Sequence, residues 1–254
     1  MTKHQQDFDS PSVTRLRADL ALALRAAAHH SLAEGVCNHF SVELQDHSGR
    51  FLLNPRGLLW SEITADDIVM IDGDGNILAG KHAVEPTAMF IHAAIHRLCK
   101  KACVMHTHMP YATALTVIHG GQLEAASQIA LKFLGRVAYD EHYNGLALDA
   151  AEGERIVAGL YQADVLFLAN HGVIVTGPSV DLTFDDLYYL ERACMLQVLA
   201  MSTGKSLRIV DPTIAQTTAD QMVDDTQARL HFLALKRILD RDEPGWSNTE
   251  ALNH

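Results

Sequence analysis

The feature that most constrains this chain is the alternation of short β-type runs with amphipathic helices, with no Pro-, Gly- or Ser-rich stretch long enough to divide it. Phe40–Leu44, Phe51–Leu53, Ile68–Ile71, Cys103–His108, Val165–Ala169 and Val173–Val175 read as strands. Helical spacing of apolar residues covers Thr14–Ala33, Thr87–Lys101, Ala151–Gln162, Leu182–Ser202 and Ala219–Leu239, with a shorter candidate at Leu123–Leu134. Gly35 is read as the stop of the first helix and Pro86 as the start of the second, while Tyr139–Gly145 is read as a loop. Such alternation buries sheet faces under helices, so one α/β domain with a central sheet is expected over residues 14–239. Residues 1–13 are expected to be a flexible tail and residues 240–254 a second tail.

The balance of 20 Lys+Arg against 31 Asp+Glu gives a net charge of −11, the wrong sign for gripping nucleic acid. A hydrophobic content of 48% supports a sizeable core. No apolar run approaches the roughly 20 residues that cross a bilayer, and the first residues lack the pattern of a secretory signal. The four cysteines are too sparse for a disulfide framework, so a reducing, cytoplasmic location is expected. Cys99 and Cys103 lack the second pair that a cysteine metal site needs and are read as core thiols.

Fifteen histidines justify a search for a cluster. His106 and His108 are two apart on an expected strand, so their imidazoles project to one side, toward either a shared cation or solvent. His171 follows an apolar strand directly and precedes Gly172, at the carboxyl end where α/β sheets place ligands. Three histidines with a carboxylate complete a site for a borderline divalent ion, and Glu85 is the carboxylate that fits. By spacing alone Glu85 is equally a charge at a helix N-terminus. His92 and His96 share a helix face, but Ala93 stands where a zinc protease has its general base, so they are read as helix surface or a subunit contact. Asp72–Asn76 opens like a calcium loop, yet Ile77 and Ala83 occupy its glycine and glutamate positions, which leaves a hairpin turn. No phosphate-binding or dinucleotide glycine motif is present. Arg56, in the turn Asn54-Pro-Arg-Gly57, offers a planar fork to a carboxylate or phosphate, or simply to solvent; Asn38 and Ser41 are small polar residues open to either role.

Together, Gly35-x-x-Asn38-x-x-Ser41, Asn54-Pro-Arg-Gly57, Glu85, His106-x-His108 and Asn170-His171-Gly172 resemble the class II aldolase/adducin family over residues 14–205. The resemblance implies a three-layer αβα domain with a mixed central β-sheet and a C4 homotetramer with active sites at subunit interfaces. It implies a divalent metal, zinc first and manganese, cobalt or iron as alternatives, held by His106, His108 and His171. Glu85 would be the catalytic glutamate, binding the metal in the free enzyme or acting as acid/base, and Asn38, Ser41, Arg56 and Gly57 would bind substrate.

Departures from the sugar-phosphate members sharpen this expectation. Their Thr-Pro-Ser-Gly turn is Asn-Pro-Arg-Gly here, their Ser-Ser pair is Ala83-Val84, and their catalytic tyrosine falls near Ser127-Gln128. The pattern is closer to the adducin-related bacterial branch, some of whose members decarboxylate aromatic hydroxy acids. A small, carboxylate-bearing substrate is therefore expected, cleaved at a C–C bond by aldol-type cleavage or decarboxylation through a metal-stabilised enolate, with His39 or Tyr143 as a further proton source. The alternatives are a non-haem iron oxygenase on the same ligands and a non-enzymatic, adducin-like interaction protein.

Overall fold

The computed structural model describes residues 2–44, 49–147, 149–160 and 162–247. Eight strands form one sheet: β1 (His39–Glu43), β2 (Phe51–Leu53), β3 (Val69–Ile71), β4 (Ile77–Ala79), β5 (Cys103–Thr107), β6 (Val137–Asp140), β7 (Val165–Leu168) and β8 (Gly172–Gly177). Their spatial order is β4-β3-β2-β1-β5-β8-β7-β6. All neighbours are antiparallel except β6 and β7, which makes the sheet mixed, with helices on both sides.

Strand alternation sorts the side chains into two layers. Phe40, Val42, Leu52, Met70, Cys103, Met105, Val165, Phe167, Val173 and Val175 join one core under α2 (Pro11–His29), α7 (Val180–Met201) and α9 (Asp225–Asp242). The opposite face carries Val104, Leu166, Leu168 and Ile174 under α3 (Pro86–Ala94) and α6 (Ala150–Ala158), and Phe51, Leu53, Val69 and Ile71 beside Ala88 of α3. His39 and Ser41 share this second face, since Phe40 and Val42 between them belong to the first.

Several boundaries differ from expectation. The N-terminal tail is helical: α1 (Lys3–Phe8) precedes α2, and Phe8 is buried with the Arg17 guanidinium 4.1 Å from its ring. α2 stops at His29 rather than Ala33, because Ser31 turns left-handed. Thr87–Lys101 is α3 followed by a π-helical turn, Ile95–Cys99, that ends at left-handed Lys100. Only α5 (Gln128–Leu131) forms within Leu123–Leu134, after α4 (Pro110–Thr116). Part of the expected loop at Tyr139 is β6, whose short half-buried run carries too weak a period to be read. Ala219–Leu239 is split between α8 (Pro212–Gln221), capped by Asp211, and α9, capped by Asp224. The C-terminal tail begins later than expected, since α9 reaches Asp242 and Trp246 is buried. The turn at Asp72 joins β3 to β4, its carboxylate accepting from the N–H groups of Asp74 (3.0 Å) and Asn76 (2.9 Å). Cys103 is buried and Cys99 partly buried, both free thiols.

α3 and α6 touch through Gly153, where an added Cβ would lie 2.6 Å from the Phe90 carbonyl oxygen. Helix propensity alone favours alanine over glycine by about 1 kcal/mol. The clash is with backbone and no rotamer relieves it, so Gly153→Ala is expected to lower the melting temperature by several degrees, read by calorimetry; an unchanged or higher value would show that the two helices separate freely.

Candidate metal centre

The registers of three adjacent strands assemble the site. β5 pairs with β8, His106 lying opposite Ile174, and β8 pairs back on β7, Gly172 lying opposite Leu168. The turn Ala169-Asn170-His171 between β7 and β8 is left-handed at Asn170 (φ 56°), a conformation asparagine tolerates. It delivers His171 to the end of β5. Gly172 is obligatory for the approach: a Cβ there would sit 2.5 Å from the Thr107 carbonyl oxygen and 2.7 Å from Cδ2 of His108.

His106, His108 and His171 consequently converge, with one potential ligand atom from each lying within 4.8 Å of the others. Their ring centroids are 4.8–5.0 Å apart. His106 Nδ1–H donates to the Val173 carbonyl (3.0 Å), which leaves Nε2 as the bare nitrogen. His108 Nδ1 is engaged by the Glu34 carboxylate, and its Nε2 is buried without a partner. Burial, then the neighbouring His108, holds His171 down at about 4, and burial and the surrounding histidines hold His106 well below the ordinary range. Two of the rings are therefore neutral at neutral pH, and an orphaned nitrogen points among them. This donor set fits a divalent metal.

A cavity of about 400 Å³ opens on the cluster. Asn38, His39, Arg56, Gly57, Glu85 and His92 line it together with the three histidines, and Val36, Ala88, Ile91, Leu146 and Ala147 form apolar walls. Arg56 and Gly57 thus lie on the same cavity as the three histidines. Glu85, the cap residue of α3, is not in the ligand cluster; its carboxylate is ion-paired to Arg56 Nε at 2.7 Å. Arg56 is held by its backbone N–H on the Ala83 carbonyl (2.8 Å). Asn38 is left-handed (φ 74°), and its side-chain oxygen accepts from the His108 backbone N–H (3.2 Å), so it fixes a candidate ligand as well as facing the cavity.

Two expectations are corrected. Ser41 does not reach the cavity: it is fully buried, its Oγ between His92 Nδ1 (2.6 Å) and His96 Nε2 (2.8 Å). His92 and His96 are not surface residues, being only 1% and 5% exposed, because α3 lays this face on the sheet. Sequence reasoning missed Glu34, whose place between the first helix and β1 gives no periodic signal. It also left His39 a secondary candidate, although it is buried on the cavity wall directly across the ladder from His106. Tyr143 lies with its ring 6.5 Å from that of His171.

Comparisons with known proteins find relatives in both sequence and fold. The family model described as Class II Aldolase and Adducin N-terminal domain matches residues 18–198. A putative aldolase class 2 protein of Caulobacter vibrioides is 33% identical over 91% of both chains. A decarboxylase of Streptomyces niveus is 29% identical over 80% of this chain and 75% of its own. A 4-hydroxy-3-prenylphenylpyruvate oxygenase/4-hydroxy-3-prenylbenzoate synthase of Streptomyces roseochromogenus is 28% identical over 87% and 80%. The crystal structure of an aldolase II superfamily protein from Pseudomonas syringae superposes with a TM-score of 0.88 at 34% identity, covering 96% of this chain and 99% of that one. Among the described residues no helix is long and apolar enough to cross a membrane.

Glu34→Gln keeps the shape but removes the charge behind His108, and zinc affinity measured by competition with a chelator is expected to fall about 10- to 100-fold; unchanged affinity would dismiss the contact. Acid stability follows from the buried rings. His30, His39, His96 and His171 are held at about 4 and His92 and His106 lower still, chiefly by burial. Between about pH 6.5 and 4 the unfolded chain therefore takes up more protons at these six sites than the folded one. Asp19 and Glu191, raised to about 6 and about 7, act in the opposite direction but are only two. The metal-free protein is expected to lose stability steadily as pH falls through this window; a flat melting temperature from pH 6.5 to 4 would contradict the burial.

Proposed function

Because the chain belongs to the class II aldolase and adducin family, we propose that it is a divalent-metal-dependent carbon–carbon lyase acting on a small hydroxy-carbonyl or hydroxy-acid substrate. The observation that carries this reading is the convergence of three histidines on a cavity that also holds an arginine and the glutamate paired to it. His106, His108 and His171 would hold the metal, with zinc as the native ion and manganese, cobalt or iron compatible with the same nitrogen donors. Bound there, a divalent ion supplies Lewis-acid stabilisation of the enolate charge that both retro-aldol cleavage and decarboxylation create.

The chain's own groups perform the rest. Arg56, paired through Nε to Glu85 before substrate arrives, offers its guanidinium to the substrate's carboxylate. Glu85, on the cavity wall, moves the proton to or from the reacting carbon. Asn38 and Gly57 border the anion, and the buried Ala88 and Ile91 give the reacting end an apolar wall. The missing phosphate-binding hydroxyls at Ala83-Val84 favour a carboxylate over a sugar phosphate. The working form we propose is a cytoplasmic homotetramer whose active sites lie at subunit interfaces. The oxygenase name of one relative favours a second reading, in which iron occupies the same histidines and the substrate is oxidised by dioxygen.

Metal analysis and turnover test this directly. About one divalent ion per chain is expected in purified or reconstituted protein, lost in His106→Ala/His108→Ala, with anaerobic turnover of hydroxy acids that Arg56→Ala reduces at least about tenfold. Turnover only of phosphorylated sugars, indifferent to Arg56→Ala, would refute the carboxylate reading, and strict dependence on dioxygen would select the oxygenase.

A further inference from the structure

A second group of histidines lies outside the metal cluster and has a single consistent hydrogen-bond direction. His96 Nδ1 is 2.7 Å from the Lys101 carbonyl, which can only accept, so His96 carries its proton on Nδ1. The π-helical turn Ile95–Cys99 makes this contact, bringing the end of the helix round to Lys101. His96 is neutral, held at about 4 by burial, and its Nε2 is therefore bare and accepts from the Ser41 hydroxyl at 2.8 Å. Ser41 has one proton, already given, so toward His92 Nδ1 at 2.6 Å its oxygen accepts. His92 is thereby fixed with its proton on Nδ1. Its Nε2 is a bare acceptor, buried and without any partner.

A buried acceptor left unpaired carries a real cost, which a donor from outside the chain would relieve where the group borders a cavity. His92 is one of the residues lining the cavity, with Nε2 on the ring edge not committed to Ser41. His39 stands edge-on to it, ring centroids 6.1 Å apart and planes perpendicular, and its ring nitrogens make no hydrogen bond that would satisfy His92. Of the other polar groups on the wall, Arg56 presents donors, the Glu85 carboxylate is paired to it, the Asn38 oxygen is engaged by the His108 N–H, and the three clustered histidines are suited to a cation. We infer that His92 is a specificity-determining residue whose Nε2 accepts a hydrogen bond from a hydroxyl group of the substrate. The string Lys101 carbonyl, His96, Ser41, His92 holds it in the accepting tautomer. A phosphate or carboxylate oxygen at that position would face a lone pair and be rejected, whereas an O–H is selected.

The inference rests on the cavity being the substrate site, and its test separates the two. Nitrogen-15 spectra of histidine-labelled, zinc-loaded protein report which ring nitrogen carries the proton. His92 is expected with Nδ1 protonated and Nε2 bare, and Ser41→Ala is expected to mix its tautomers. Calorimetric titration then compares ortho-, meta- and para-hydroxybenzoate with benzoate and the methoxybenzoates, and phenol with anisole. At least one hydroxyl isomer is expected to bind about tenfold more tightly than its methoxy counterpart, a preference lost in His92→Leu and weakened in Ser41→Ala. Ser41→Ala leaves the cavity wall intact and so covers the case in which His92→Leu fails to fold. If phenol outcompetes anisole while no benzoate binds, the carboxylate reading falls and the role of His92 stands. A His92 protonated on Nε2, an equal hydroxyl preference in His92→Leu, or no binding of any hydroxylated probe overturns the inference.

Discussion

The site depends on the antiparallel pairing of β8 between β5 and β7. That pairing, and not proximity in sequence, brings a histidine from a turn 60-odd positions away to the His-x-His strand: Thr107 lies opposite Val173 and Leu168 opposite Gly172, so His171 has one place to go. A slip of one residue in β8 would turn its alternating side chains to the opposite faces and move Val173 away from the nitrogen of His106 that it now fixes. The absence of a Cβ at Gly172 makes the register sterically possible, and the Val173 carbonyl makes it chemically useful. Structural and functional requirements therefore fall on the same pair of residues.

Burying this many imidazoles imposes a second requirement, because each needs a defined proton position. His106 is set by Val173, His96 by Lys101, and His92 by Ser41, so backbone carbonyls and one hydroxyl decide which nitrogens remain bare. Among the described residues three histidines, His30, His92 and His108, keep a buried ring nitrogen without a partner, and the last two line the same cavity. On α7 the buried aspartates are paired: Asp185 receives both Lys132 and His231, and Asp186 receives Lys132 and Arg136. At His92 and His108 the missing partner falls where a ligand in the cavity can supply it.

This distinction explains which parts were legible in sequence. A two-residue period put His106 and His108 on one side, and the strand-then-glycine context around His171 marked a loop at a strand end; both are local patterns that a sheet preserves. The same local reasoning placed His92 and His96 together on one helix face, but it could not say that this face lies on the sheet, since that depends on how α3 docks. Ser41 was assigned to substrate for its chemistry, and its neighbours across the fold gave it a different task. β6 was missed because parallel pairing with β7, rather than its own weak pattern, holds Val137–Asp140 extended. The α8–α9 boundary turned on Asp224, a cap whose signal lay inside an otherwise continuous helical stretch.

The pairing of Arg56 with Glu85 links recognition to chemistry on the proposed function. Arg56 is 60% exposed on its side chain, and an ion pair so open to water is worth about 0–1 kcal/mol, little enough for an incoming carboxylate to compete for the same guanidinium. A substrate that takes the fork bidentately loosens the hold on Glu85 at the moment its reacting carbon arrives beside the histidines. A substrate without an anionic group leaves the glutamate paired to Arg56 and outside the histidine cluster. Selection for a carboxylate and release of the acid/base group would then be two results of one exchange of partners, which needs no movement of the backbone because Ala83 and the Asn54–Gly57 turn keep Arg56 in place.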